Sequence, residues 1–403
     1  MFSLNRCRSS RAGQMASFRS SSRMCRLKDC WRRMHCMNMR NKEVDSPSTD
    51  HPRITIIIPT RNEADSIERC LRSVLSMVSI ADGVEIFIID GMSTDGTKEM
   101  ISRWAVAHSI IKVYENQAQI VPAALNLGIQ KARGDWIVRL DAHCEYDSNY
   151  LVNCLRAAQQ SGADNVGGYI ESSASSAVFQ QKIIRGITTH RFGVGASPFR
   201  LGGAAGWVDT VPFGCYRRAV FVQIGLYDER LQRNQDYEFN QRLIKAGGKI
   251  WFDPSIRAKY FNQKKIKGLL RQAFTTGQWN VWTWRIAPHA FARRHLIPAL
   301  FVVACIACAL SMIVSRSIAL FALSALLSAY FSGACIAAIQ QSVWLRDAGL
   351  LCLPLLFFIY HVAYGLGEVA GALALLFGSA PVCDHKRPDV SRETEQPEIS
   401  LVP

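Results

Sequence analysis

The sequence predicts an α/β domain built on a mostly parallel central sheet, followed by C-terminal transmembrane helices. Three observations carry this. Short β-branched apolar runs alternate with helix-spaced amphipathic stretches between residues 53 and 260. Acidic residues stand where apolar runs end, Asp90 and Asp141 among them. From residue 296 onward the chain is almost wholly apolar, in runs long enough to cross about 30 Å of hydrocarbon.

Residues 54–58 read as a buried strand ended by Pro59. Residues 64–77 have helical spacing. Residues 84–89 form a second buried strand, and 90–97 a loop of Gly, Ser, Thr and Asp. Residues 97–108 read as a helix and 110–114 as a short strand. A helix follows over 122–132, with Pro122 in its first turn, where a missing N–H costs nothing. Residues 136–140 form a strand that delivers Asp141. This alternation argues for a parallel sheet covered by helices on both faces. Ligands of such sheets bind beyond the C-terminal strand ends, which is where Pro59, Asp90 and Asp141 fall.

Composition divides the chain into five stretches: 1–50, 51–260, 261–295, 296–378 and 379–403. The first is a basic arm with nine Arg and two Lys against four acids, close to half of the net charge of +15. It is Ser-rich and poor in aliphatics, and is expected to be disordered. It suits the neighbourhood of anionic headgroups, a solvated tail, or sequence ahead of a later start at Met34, Met37 or Met39. Basic charge also fits nucleic acid, but no nucleic-acid motif is present and none is expected as a partner. The N-terminus lacks the apolar core of a cleavable signal peptide.

Residues 296–314 and 318–339 are uncharged, and 350–377 are apolar except for His361 and Glu368. About three spans are expected, with a break near Gly365 and Gly367 able to split the third. Arg293 and Arg294 precede the first span, which places the α/β domain on the cytoplasmic side by the positive-inside rule. Trp279, Trp282 and Trp284 lie among Arg285, His289, Arg293 and Arg294. That mixture suits an amphipathic joint at a membrane interface. For His361 and Glu368, helix–helix packing and a lipid-phosphate contact account equally well. Of the thirteen Cys, Cys305 and Cys308 have C-x-x-C spacing inside an apolar run and read as small packing residues.

Three acidic strings can carry chemistry. In Val138-Arg139-Leu140-Asp141-Ala142-His143, Asp141 and His143 point the same way if the chain stays extended. Such a pair can hold a divalent ion against a diphosphate; a surface Asp with a capping role is the plain alternative. In Asp90-Gly91-Met92-Ser93-Thr94-Asp95, the carboxylates can accept from a base N–H or a ribose hydroxyl, or cap the next helix. In Asn234-Gln235-Asp236-Tyr237-Glu238, Asp236 can take a proton from an acceptor hydroxyl or cap the helix it precedes.

In this order, with Ile58-Pro59-Thr60-Arg61-Asn62-Glu63, Val121-Pro122-Ala123-Ala124-Leu125-Asn126 and Val211-Pro212-Phe213-Gly214, the strings resemble the GT-A glycosyltransferases of family 2. Within that family they are similar to bacterial exopolysaccharide enzymes of the succinoglycan type. The resemblance covers about 53–290 and continues as apolar spans to about 378. It implies a GT-A (nucleotide-diphospho-sugar transferase) fold for 51–260. Pro59, Thr60, Asn62 and Glu63 would line the nucleotide pocket, Asp90 would bind the uracil ring, and Asp95 would lie near the ribose. Asp141 stands where the family has the metal-binding acid of D-x-D, and Asp236 where it has the general base. The implied reaction is one in-line displacement on a UDP-sugar, with glucose by analogy. Mg2+ or Mn2+ would sit on the departing diphosphate, and the product would be inverted. The implied acceptor is a polyprenyl-diphosphate-linked oligosaccharide. The implied setting is the bacterial inner membrane, with membrane lipid and other exopolysaccharide assembly proteins as surroundings.

Two departures stand out. His143 replaces the second acid of D-x-D; imidazole suits Mn2+ better than Mg2+, or it touches phosphate directly. The Q-x-x-R-W motif of processive synthases has no counterpart in Arg271-Gln272-Ala273 or Gly277-Gln278-Trp279, so single additions are expected. Residues 201–207 read as a Gly-rich loop on the acceptor side, with Trp207 available to stack on a sugar. A polyprenyl-phosphate sugar synthase and an inactive membrane scaffold of the same fold are the competing readings.

Overall fold

The computed structural model describes residues 53–378 except 80, 82, 174–177 and 262–264. The expectations for the arm (1–50) and the tail (379–403) fall outside the described residues.

The chain opens with β1 (Ile54–Thr60), α1 (Ile67–Val78), β2 (Val84–Asp90), α2 (Thr97–Ala107), β3 (Ile111–Glu115), α3 (Val121–Lys131) and β4 (Trp136–Arg139). Each element expected from hydrophobic spacing is present. β1 differs by running through Pro59 to Thr60. Its pairing with β4 ends at Ile57 while its pairing with β2 continues to Thr60. Pro59 therefore sits where no neighbouring strand needs its missing N–H.

The second half adds β5 (Cys144–Tyr146), α4 (Tyr150–Ser161), β6 (Asn165–Ser173), α5 (Phe179–Thr188), β7 (Gly206–Trp207), β8 (Cys215–Arg217), α6 (Arg218–Ile224), α7 (Gln235–Lys245) and β9 (Ile250–Phe261). Among the described residues one sheet forms, ordered β3-β2-β1-β4-β8-β6-β9-β5, with β7 paired to β9. β3, β2, β1, β4, β6 and β9 share one direction, and β8, β5 and β7 run against it. The sheet is mostly parallel, as expected.

Strand alternation divides the core. Ile54, Ile56 and Ile58 pack with α1, α2 and α4 on one face. Ile57, Phe87 and Ile89 pack with α3, α6 and α7 on the other. The register sets Thr60 beside Asp90, so the loops leaving β1 and β2 meet at one edge.

The membrane side begins with α8 (Ile266–Ile286), followed by α9 (Ile297–Ser311), α10 (Arg316–Leu345) and α11 (Leu353–Leu376). Among the described residues three stretches are long and apolar enough to cross a membrane: Arg293–Ser311, Arg316–Leu345 and Ala348–Leu376. The third run is unbroken at Gly365 and Gly367. Its glycines serve close approach instead. A Cβ on Gly367 would lie 2.0 Å from the Phe274 carbonyl oxygen of α8, and one on Gly277 would lie 2.2 Å from the Tyr364 carbonyl. Small residues let two helices touch backbone to backbone. Gly367→Leu is expected to force α8 and α11 apart and destabilise the protein by about 3 kcal/mol or more. A thermal melt of the detergent-solubilised protein against the parent checks this.

The joint differs from an amphipathic stretch facing lipid. α8 packs along α11. Trp279 and Trp282 are buried, with Leu231, Ala374 and Leu375 around them. The Trp282 indole N–H donates to the Gly371 carbonyl at 3.2 Å. Only Trp284, edge-on to Phe291, lies outside that cluster. A second bridge was not visible in the sequence reading. Ile183, Ile184 and Ile187 of α5 join a cluster with residues of α8, α10 and α11. Lys182 pairs with Asp347 at 2.7 Å. The amphipathic spacing of Phe179, Ile183 and Ile187 is the signal that marks this helix.

His361 and Glu368 both find partners within the protein. The Tyr330 hydroxyl meets His361 Nδ1 at 2.8 Å, and Glu368 Oε2 accepts from the Ala299 amide at 3.0 Å. These contacts favour the packing reading. Cys305 and Cys308 are free thiols.

Candidate active site

β4 is apolar except for its last residue. Arg139 closes it, with its side chain only 8% exposed. The guanidinium reaches two carboxylates. Nη2 lies 2.8 Å from Asp141 Oδ1, and Nη1 lies 2.8 Å from Asp236 Oδ2. One buried cation thus spans the acid after β4 and the acid in the first turn of α7. Burial works against its charge, but Asp141 and Asp236 outweigh it and raise its pKa.

Asp236 is in the first turn of α7 rather than at its cap, a place that favours a carboxylate. The N-cap residue is Asn234, and its side chain does not cap. The Asp236 side chain is 23% exposed, and its Oδ1 is buried without a hydrogen-bond partner. Burial pushes its pKa up, Arg139 pulls it down, and Asp141 adds to the push, with a net rise.

Asp141 is held at its backbone by Tyr146. The Asp141 amide donates to the Tyr146 hydroxyl at 2.7 Å, and that hydroxyl donates back to the Asp141 carbonyl at 3.1 Å. Its Oδ2 lies 3.9 Å from His143 Nε2. His143 Nδ1 meets Glu63 Oε1 at 3.2 Å. Burial disfavours the imidazolium, while the Glu63 hydrogen bond and the Asp141 charge favour it, with a net rise in pKa. A proton on Nδ1 shared with Glu63 leaves Nε2 bare and turned to the Asp141 side. That is the usual arrangement behind a metal-ligating imidazole. The pair offers one oxygen and one nitrogen, a donor set that suits Mn2+. Among the described residues no cluster of three or more ligating side chains exists. Asp141 and His143 by themselves supply two ligand atoms on one side of the site.

The expected nucleotide-side residues are brought together, but by bracing one another. Thr60 is buried, with its hydroxyl on the Ile58 carbonyl at 3.3 Å. Pro59, directly before it, is partly exposed at the strand end. Asn62 has a left-handed backbone, φ 54°. Its amide donates to Ser93 Oγ at 3.0 Å, and its Oδ1 accepts from the Thr94 amide at 2.9 Å. Glu63 Oε2 accepts from Ser66 at 2.5 Å. Asp95 accepts from the Ala64 amide, the Thr97 amide and the Thr97 hydroxyl. The Thr97 hydrogen bond holds its carboxyl below the usual range.

Asp90 is held within its own loop. It is 1% exposed, and its oxygens accept from the Ser93 hydroxyl at 2.6 Å and the Ser93 amide at 3.1 Å. A buried carboxylate satisfied by its own loop shapes that loop. Trp207 differs. It lies in β7, edge-on to Trp251 at 4.8 Å and 54% exposed, in a strand rather than a free loop.

Arg139 joins the two acids, and the spacing of the acidic strings does not mark it. Its signal was a lone cation inside an apolar strand, which needs buried partners.

The family model for Glycosyl transferase family 2 matches residues 55–224, which includes Asp141 and His143 and stops before Asp236. The succinoglycan biosynthesis protein ExoA of Rhizobium meliloti (strain 1021) is 30% identical over 225 residues, 55% of this chain and 67% of that protein. The dolichyl N-acetyl-alpha-D-glucosaminyl phosphate 3-beta-D-2,3-diacetamido-2,3-dideoxy-beta-D-glucuronosyltransferase of Methanococcus voltae is 30% identical over 232 residues, 56% of this chain and 71% of that protein. Among solved structures, the mannosyltransferase PcManGT from Pyrobaculum calidifontis, in complex with GDP-Man and Mn2+, aligns over 87% of this chain and 94% of its own. Its TM-score is 0.49 and its identity 18%. The matched domain, the two relatives and the acids gathered at the strand ends lead to one assignment: this chain belongs to glycosyl transferase family 2 and is a glycosyltransferase.

Proposed function

We propose that the protein is an inverting, non-processive enzyme that moves one hexose, glucose from UDP-glucose in the first instance, onto a polyprenyl-diphosphate-linked oligosaccharide. The setting is the cytoplasmic face of a bacterial inner membrane. The single observation that carries this is the Arg139 bridge between Asp141 and Asp236. It holds an acid suited to the leaving diphosphate and an acid suited to a proton at a fixed separation.

The chemistry follows from what each side chain has free. Mg2+ or Mn2+, when bound, would neutralise charge gathering on the departing nucleoside diphosphate. Asp141 and His143 would hold that ion, and Glu63 orients the His143 ring through Nδ1. Asp236 Oδ2 is bound by Arg139, and Oδ1 is buried with no hydrogen-bond partner. The Asp236 carboxylate takes the acceptor hydroxyl proton as the new C–O bond forms. Among the described residues no other carboxylate offers a buried oxygen without a partner. A carboxylate placed to take the acceptor proton is what a single displacement with inversion requires.

The braced loops 60–64 and 90–97 form the floor on which the nucleotide lies. Asp90 contributes by holding Ser93, and a base edge reaches it only if Ser93 turns away. Asp90→Asn is expected to raise the donor KM with little change in kcat, because it loosens binding rather than the reacting centre. Steady-state kinetics across donor concentration check this.

A panel of radiolabelled UDP-, GDP- and dTDP-sugars on membranes with lipid-linked acceptors, followed by linkage analysis, tests the whole reading. Retained anomeric configuration would sink the inverting mechanism. Turnover with bare polyprenyl phosphate and none with a lipid-linked saccharide would move the enzyme to the polyprenyl-phosphate synthases. Asp141→Asn is expected to lower kcat on the order of 100-fold, with partial recovery at high Mn2+ in a metal titration. His143→Asp is expected to shift preference from Mn2+ toward Mg2+, since it replaces nitrogen by oxygen.

A further inference from the structure

A line of hydrogen-bonded polar side chains, buried or half-buried, runs from the loop carrying Asp236 into the membrane helices. It starts at Asn234, whose backbone is left-handed at φ 61°. Its Nδ2 donates to Asn280 Oδ1 of α8 at 2.9 Å and, at 3.4 Å, to Thr283 Oγ1. Asn280 Nδ2 donates to the Tyr364 hydroxyl of α11 at 2.7 Å and to Glu368 Oε1 at 3.4 Å. Glu368 Oε2 accepts from the Ala299 amide in the first turn of α9 at 3.0 Å. Asn280 and Thr283 are buried, and Glu368 is 2% exposed.

An ionisable side chain buried in an apolar helix is expensive, and a leucine would pack there at lower cost. What a fully bonded polar network adds is a single arrangement of the elements it joins. α8 and α11 have no slack in which to shift, because their glycines already touch backbone. Asn234 opens the turn that presents Asp236 two residues later. Arg139 holds the Asp236 carboxylate from the sheet side through Oδ2. The backbone of that turn sets its position from the other side.

We infer that Asn280, backed by Tyr364 and Glu368, is a positioning residue: it holds Asn234 and thereby places the Asp236 carboxylate. The catalytic base is thus registered on the membrane helices, not only on the sheet. This rests on the reading of Asp236 as the base.

The test uses the full chain in native membranes, with Asn280→Leu, Asn234→Gly, their combination, Glu368→Gln and Asp236→Asn. Asn234→Gly keeps the left-handed turn but removes the amide, so it carries the test if Asn280→Leu fails to fold. Each of the first two is expected to lower kcat by about 10- to 100-fold, with donor KM within about twofold. The combination is expected to lose no more than the worse single variant, since both cut the same bond. Glu368→Gln keeps one oxygen to accept from Asn280 but turns an NH2 to the Ala299 amide, so its kcat is expected to fall less than that of Asn280→Leu; a loss as large as that of Asn280→Leu would overturn the order of the relay. Full kcat in Asn280→Leu beside an inactive Asp236→Asn overturns the relay alone. Losses that multiply in the combination, or a raised KM at unchanged kcat, also overturn it. An active Asp236→Asn overturns the base assignment and the relay with it.

Discussion

Asp236→Asn is expected to lower kcat by about 10²- to 10⁴-fold while donor affinity stays within about twofold. The amide is close in size and can still accept from Arg139 Nη1, so the first turn of α7 keeps its shape. It cannot take a proton at neutral pH. Donor affinity is spared because the Asp236 side chain pairs with Arg139 and not with the loops after β1 and β2. The pH profile adds a second readout. Burial raises the Asp236 pKa, and a base works only when deprotonated. Activity should therefore fall as pH drops through a limb lying above the usual Asp value of about 3.9. That limb should be absent from the residual rate of Asp236→Asn. Retained turnover with an unchanged limb would remove Asp236 from the reaction.

Arg139→Leu is expected to destabilise the protein by about 3–5 kcal/mol, because it strips the shared partner from two largely buried carboxylates. It should also lower turnover near neutral pH. With Arg139 gone, the one effect that lowers the Asp236 pKa is lost, while burial and the Asp141 charge still raise it. The balance then moves further toward the protonated base, so the acid limb of activity should shift to higher pH than in the parent. Arg139→Lys keeps the charge but not the two-pronged fork, so it can serve one carboxylate well and the other poorly. Its kcat is expected to fall between the parent and Arg139→Leu. Melting temperatures and kcat–pH profiles of the three proteins decide the matter. A stable, fully active Arg139→Leu would show that the bridge is incidental.

The first half of the domain was legible because its information is local. The strands at 54–60, 84–90 and 136–139 are buried on both faces, so they show as continuous apolar runs. The helices between them show one apolar stripe each. The positions of Asp90 and Asp141 followed from where those runs stop. The membrane helices were legible for the same reason, since composition alone sets their length. The second half was harder to read. β7 and β8 are two and three residues long, too short for any periodicity to register. Trp279 and Trp282 have the composition of interface anchors, yet they point into protein, and only the partner helix decides that.

The sequence by itself determined the alternation of strands and helices, the acids at the strand ends, the spans and the family resemblance. These depend on spacing along the chain and on the solvent each face must meet. Only the tertiary structure decided which groups share a hydrogen bond across long sequence separations. Arg139 meets Asp236 nearly a hundred residues away, His143 meets Glu63, Ser93 covers Asp90, and Asn234 reaches Asn280. No periodicity encodes such pairs, because a buried polar group needs a partner in space, and its choice is fixed only when sheet and helices have packed.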